Sequence, residues 1–207
     1  ARPSPERVPV LFVHGTDDNP NAFHAMRQAF LEAGWPEERL AAVRLHPNNG
    51  QAPIEVLAWQ VRRAAQGLRK RTGAERVDVV GFSLGALVSR YWLQELRGHL
   101  HVRRFISISG PHHGTYLAYV RNVPALVQMR PGSDFLRALD RPREDPFGET
   151  EVLSFWTPLD TTIIPADSSR LPGATERTFL VPLHPMMLGS PAVLSAAVEE
   201  LARPERE

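Results

Sequence analysis

Short apolar runs alternate with longer stretches in which apolar residues recur every three or four positions. Residues 8–13 are almost continuously apolar, which suits a strand covered on both faces, and the run stops at His14-Gly15. Asn19-Pro20-Asn21 then has the residues of a helix start. Phe23, Met26 and Phe30 follow at helical spacing, with Gly34 as a stop. Residues 41–45 predict a second strand, and residues 54–70 a helix that lines up Leu57, Val61, Ala64, Ala65 and Leu68. A third strand over 77–81 runs into a helix carrying Leu84, Leu87, Val88 and Tyr91 at i, i+3, i+4 and i+7. Further strands are predicted at 105–109, 152–156 and 178–181. A last helix opens at Ser190-Pro191 and turns Val193, Leu194, Ala197, Val198 and Leu201 inward.

This alternation predicts right-handed βαβ crossovers and an α/β fold: a mostly parallel sheet of about six strands with helices on both faces. Residues 115–150 break the rhythm with several prolines and a charged run over 141–145, and read as an insertion with one or two short helices. At 207 residues the chain suits one domain over 1–207.

Composition narrows the function classes. A formal net charge of +1, with basic residues dispersed, gives no nucleic-acid or anionic-membrane footprint. Arg69-Lys70-Arg71 ends a predicted helix, where cations complement its dipole. The absence of cysteine excludes disulfides, thiolate nucleophiles and thiolate metal sites. No apolar run approaches the roughly 20 residues of a membrane span. The start at Ala1, with Arg2-Pro3-Ser4-Pro5 behind it, fits either a mature end left by signal removal or a cut boundary.

The chemistry-bearing motif is Gly81-Phe82-Ser83-Leu84-Gly85. Its five-residue pattern is common, but here a buried-type strand precedes it and an amphipathic helix follows. Such an elbow holds a serine at strained backbone angles with its hydroxyl exposed, and glycines flank it because side chains would clash across so tight a turn. A helix cap is the simpler role for Ser83, but it leaves the paired glycines unexplained. The Leu84 amide, at the helix start, can donate to an oxyanion.

With these residues in hand, the chain resembles the α/β-hydrolase family, and within it the compact bacterial triacylglycerol lipases and esterases. The landmarks come in order: Val13-His14-Gly15-Thr16, the Ser83 elbow extended through Tyr91, and Gly110-Pro111-His112-His113-Gly114-Thr115. Met129-Arg130-Pro131-Gly132-Ser133, the stretch Pro158 through Asp160 to Pro165, and His184 follow. Two positions depart: lipases of this type more often carry His at Phe82 and Gly at Ala86.

A serine hydroxyl needs an imidazole to take its proton, and the imidazole needs a carboxylate. In this fold the order is Ser, acid, His. His184 lies far beyond Ser83 and follows an apolar run, so it is the candidate base. Asp160 and Asp167 compete for the acid role, with Asp134, Asp140 and Asp145 behind them. Asp160 directly follows the strand over 152–156, and its surroundings match the family's acid-bearing motif. Asp167 sits among serines, where capping explains it. The resemblance implies the Thr16 amide as the second oxyanion donor. His14 reads as a scaffold residue bonding loop backbone, and His14, Gly15, Phe82, His112 and Tyr116 as residues lining the site. A metal pair at His112 and His113 lacks a nearby carboxylate, so neither metal nor cofactor is expected.

The expectation is therefore a monomeric carboxylic ester hydrolase working through an acyl-enzyme on a small ester or lipid, with no nucleic-acid partner. Short- to medium-chain acyl esters or glycerides are the expected substrates, and the apolar residues of 115–150 either wall the site as a partial lid or only pack on the sheet. The same machinery serves a polyester depolymerase or a thioesterase, and a catalytically silent scaffold acting as a binding protein is the competing class. The lipase resemblance implies secretion; a cytoplasmic place is the alternative.

Overall fold

A computed structural model describes residues 7–204. The reading of the chain start over residues 1–5 lies outside the described residues. Among the described residues six strands form one parallel sheet: β1 (Val10–Val13), β2 (Leu40–Val43), β3 (Val77–Phe82), β4 (Val102–Ile108), β5 (Glu151–Trp156) and β6 (Thr175–Thr178). Their spatial order is β2-β1-β3-β4-β5-β6. Every neighbouring pair is parallel. This is an α/β-hydrolase fold.

Side chains alternate across the sheet and sort the core into two layers. Leu11, Val13, Val79 and Phe105 face α2 (Ile54–Thr72) and α3 (Leu84–Glu95). Val10, Phe12, Val80, Ile106 and Ile108 face α1 (His24–Glu32) and α6 (Pro191–Ala202). Burial on both sides explains the unbroken apolar runs of β1 and β3. Each fully buried side chain of this kind stabilises by about 1.5–3 kcal/mol.

All six strands shift from their expected bounds by a residue or more, and three of the shifts are informative. β2 is shorter than 41–45 and starts one residue earlier. β4 begins three residues earlier than the apolar pattern, because Arg103 and Arg104 are buried within it. β6 is not the apolar run over 178–181 but the largely exposed Thr175–Thr178 before it, which pairs only with β5. The apolar residues 179–183 instead form the irregular approach to His184.

The stretch over 115–150 contains α4 (Pro124–Gln128), α5 (Asp134–Leu139) and a 3₁₀ turn at Tyr116–Val120. Its Leu126, Met129, Leu136 and Leu139 pack into the α2/α3 layer. Polar contacts add to this: Gln128 accepts from the Ile54 amide at 2.7 Å, and buried Arg90 of α3 donates to Asp140 and to the His112 and Leu139 carbonyls.

The chain moves from β1 outward to β2, then returns to place β3 on the other side of β1. In open α/β sheets such a reversal leaves a crevice at the carboxyl ends of the strands where ligands bind.

Candidate active site

The crevice is occupied by the two turns singled out in the sequence. Ser83 follows β3 with φ 54° and ψ −126°, a region that side chains with a Cβ rarely enter. Ser83 donates its amide to the Ile108 carbonyl at 3.0 Å, and its own carbonyl starts α3. The flanking glycines have measurable reasons. A Cβ on Gly85 would lie 2.2 Å from the Val13 carbonyl oxygen, and one on Gly81 would lie 2.7 Å from the Ala86 Cα. The elbow therefore packs backbone against backbone at the end of β1. Gly15 completes the contact, since a Cβ there would meet the Ser83 Cβ at 3.0 Å.

Asp160 lies in the turn after β5, and His184 opens the 3₁₀ turn His184–Leu188 that follows β6 and the irregular residues 179–183. His184 donates from Nδ1 to both Asp160 oxygens, at 2.8 and 3.0 Å. Asp160 Oδ1 also accepts the Thr162 and Ile163 amides, each at 2.9 Å. Burial pushes the Asp160 carboxyl pKa up, but the His184 hydrogen bond and charge together with those amides outweigh it and hold the group below the ordinary carboxylate value. Leu183, just before the histidine, has φ 68°. Among the described residues His184 Nε2 has no hydrogen-bond partner, so it does not yet bond Ser83 Oγ.

Ser83 and His184 share a cleft of about 370 Å³ with Gly15, Thr16 and Phe82. Its apolar wall comes from the 115–150 stretch, through Leu117, Val120, Leu126 and Met129. Asp17, Asp18 and Arg121 form a polar end, where Arg121 donates to both Asp17 oxygens from across the mouth. The Thr16 amide has no acceptor among the described residues. The Leu84 amide opens α3 and is out of reach of any intrahelical carbonyl.

Three predicted lining residues sit elsewhere. His14 is buried beside the cleft: its Nε2 accepts the Leu45 amide at 3.1 Å and its Nδ1 donates to the Gly15 carbonyl. Burial lowers its pKa. His112 is fully buried, shares a 2.7 Å hydrogen bond with Ser107, and has its pKa depressed well below 6.5 by burial and then by Arg90. Tyr116 points outward at 61% exposure and stacks on Tyr119. Asp167 stands in a 3₁₀ turn, away from His184's hydrogen bonds. The sequence pattern gives no sign of Arg121 or Leu183 at the site, whereas Leu126 and Met129 belong to the apolar residues of 115–150 offered as its wall. The Thr115 amide donates to the Met129 carbonyl at 2.9 Å and so joins two of the landmark stretches.

The sequence pattern of the palmitoyl protein thioesterase family matches residues 9–145. The chain belongs to that family. A triacylglycerol lipase of Pseudomonas fragi is 32% identical over 117 residues, a match covering 54% of this chain and 37% of the lipase. The chain thus spans little more than a third of that relative's length. The mature form of a Bacillus licheniformis lipase superposes with a TM-score of 0.78 at 18% identity, over 97% of this chain and 94% of that one. Aspergillus fumigatus lipase B gives 0.80 at 20% identity, over 95% and 53%. The chain thus shares its fold with lipases. None of the described helices is long and apolar enough to cross a membrane.

Proposed function

We propose that the chain is a serine carboxylic ester hydrolase, with Ser83 as nucleophile, His184 as base and Asp160 as the orienting carboxylate. The observation that carries this reading is the Nδ1 hydrogen bond from His184 to both Asp160 oxygens, in a cleft that also exposes a strained Ser83. Because the Nδ1–H of His184 donates to the Asp160 carboxylate, the neutral imidazole has Nε2 as its free acceptor. Ser83 Oγ attacks the acyl carbonyl as His184 Nε2 takes its proton, and the Thr16 and Leu84 amides hold the oxyanion. The alcohol leaves with the proton from Nε2. Water then repeats the sequence on the acyl-enzyme and releases the acid.

The apolar wall supports short- to medium-chain acyl esters or glycerides as substrates, and a polyester end could occupy the same cleft. The exposed 3₁₀ turn at Tyr116–Val120 supports a partial lid, while α4 and α5 stay packed through Leu126, Met129, Leu136 and Leu139 on the body of a single domain. The match to palmitoyl protein thioesterases favours a second reading, cleavage of an acyl thioester by the same steps. Monomeric action and secretion belong to the proposal through the lipase resemblance alone.

Labelling by a fluorophosphonate probe, with turnover of p-nitrophenyl esters and acyl thioesters of graded length, tests the reading. Ser83→Ala is expected to abolish labelling and lower turnover by about 10⁴-fold or more with an unchanged melting temperature. A folded protein that neither labels nor turns over is a silent scaffold, and the proposal fails.

A further inference from the structure

Phe82 ends β3 one residue before the nucleophile and pairs with Ile108 of β4. It is 4% exposed, belongs to the α1/α6 core layer, and also reaches the cleft. Its ring lies against the imidazole of His184, with centroids 4.6 Å apart and planes 33° from parallel.

The histidine is thus attached in three ways. Leu183 sets the backbone at a positive φ, Asp160 accepts from Nδ1, and Phe82 covers a ring face. These restrict different motions. The hydrogen bond fixes Nδ1 and the direction of its N–H, but the ring can still turn about that line, and turning sweeps Nε2 through an arc. No polar partner among the described residues restrains Nε2. The flat face of Phe82, rooted in the sheet, opposes that turn. It also ties the base to the strand that presents the nucleophile, so both reacting atoms refer to one rigid element.

We infer that Phe82 is a positioning residue for His184, aiming Nε2 at Ser83 by ring-to-ring contact; this rests on the hydrolase reading. The simpler role is filling space in the core. The two differ in what they ask of the side chain: filling asks for volume, aiming asks for a flat ring. Phe82→Leu keeps most of the apolar bulk without the ring, and Phe82→His keeps a ring of smaller volume.

The experiment measures kcat and KM on a soluble p-nitrophenyl ester, the rate of fluorophosphonate labelling at Ser83, and the melting temperature, for the wild type and both variants. Misaligned reacting groups cost up to about 100-fold. Phe82→Leu is therefore expected to lose about tenfold or more in kcat and in labelling rate, with KM changed less than about twofold. Phe82→His is expected to keep kcat within about threefold of wild type although it melts lower. If both variants lose activity in step with their melting temperatures, or Phe82→Leu keeps its kcat, Phe82 is only core. If Phe82→Leu does not fold, Phe82→Met takes its place with the same expectation. A wild type that neither labels nor turns over removes the hydrolase reading itself, and this role with it.

Discussion

The two ends of the sheet treat polar groups in opposite ways. At the amino ends of β3, β4 and β5, charges are buried and answered. Arg103 donates to both Asp78 oxygens at 2.9 and 2.5 Å and to the Leu201 carbonyl at 2.7 Å. Arg104 joins Glu151 at 2.8 Å and the carbonyls of Arg203 and Pro204. Glu151 accepts from Arg203 as well, at 2.6 Å. At the carboxyl ends, His184 Nε2 is buried without a partner among the described residues, Ser83, Leu183 and Asp17 hold positive φ, and apolar side chains stand in solvent. Strain and unmet bonding persist only where the surroundings over-determine the structure. The paired charges of the amino end contribute to that determination, although Arg76 and Arg203 each keep a buried Nε without a partner among the described residues there.

This contrast can be broken from either side. The largest effect is expected at the reactive end: Asp160→Asn should lower kcat by about 10⁴-fold by removing control of the imidazole tautomer, with little change in chemical denaturation. If activity and stability fall together there, the division of labour is wrong. At the amino end, Asp78→Asn leaves Arg103 buried against a neutral group and should cost about 3–5 kcal/mol in urea unfolding. Activity per folded molecule should be unchanged. Replacing the pair together, Asp78→Leu with Arg103→Met, should recover much of that loss, because an apolar pair needs no desolvation.

The smallest effect concerns pH. His112 lies near the elbow, buried and neutral, with its folded pKa well below 6.5. The unfolded chain therefore binds more protons below 6.5, so His112's contribution to stability is complete above that pH and is lost as pH falls. Urea unfolding between pH 7.5 and 5 should show a shallower decline in His112→Gln than in wild type. An equal slope would remove His112 as a titrating contributor.

The same contrast explains what the sequence disclosed. β1, β3 and the elbow were legible because burial on both faces and a backbone-to-backbone turn leave a dense local signature of apolar runs and glycines. The pairing of Asp160 with His184 was reachable through chain order and a resembling motif. β4 was read short because a buried arginine looks like a surface one until its acceptors, contributed by distant residues such as Leu201 and Arg203, are brought to it. Residues 179–181 looked like a strand because their apolar character serves loop packing beside β5, as in the Phe155–Phe179 ring contact. The tilted ring contact of Phe82 with His184 and the Arg121–Asp17 pair join residues about a hundred positions apart. No local pattern encodes them.

The position of β6 has one more consequence. An outermost parallel strand leaves a row of backbone donors and acceptors open to pairing with another chain, a common route to aggregation. Here that strand is four residues long and reads Thr-Glu-Arg-Thr, with Arg177 reaching to Glu199 of α6 and Arg170 to Glu176. Shortness and charge make it a poor template for a foreign strand. The polarity that hid β6 from the hydrophobic pattern thus guards the molecule against sticking to itself at high concentration.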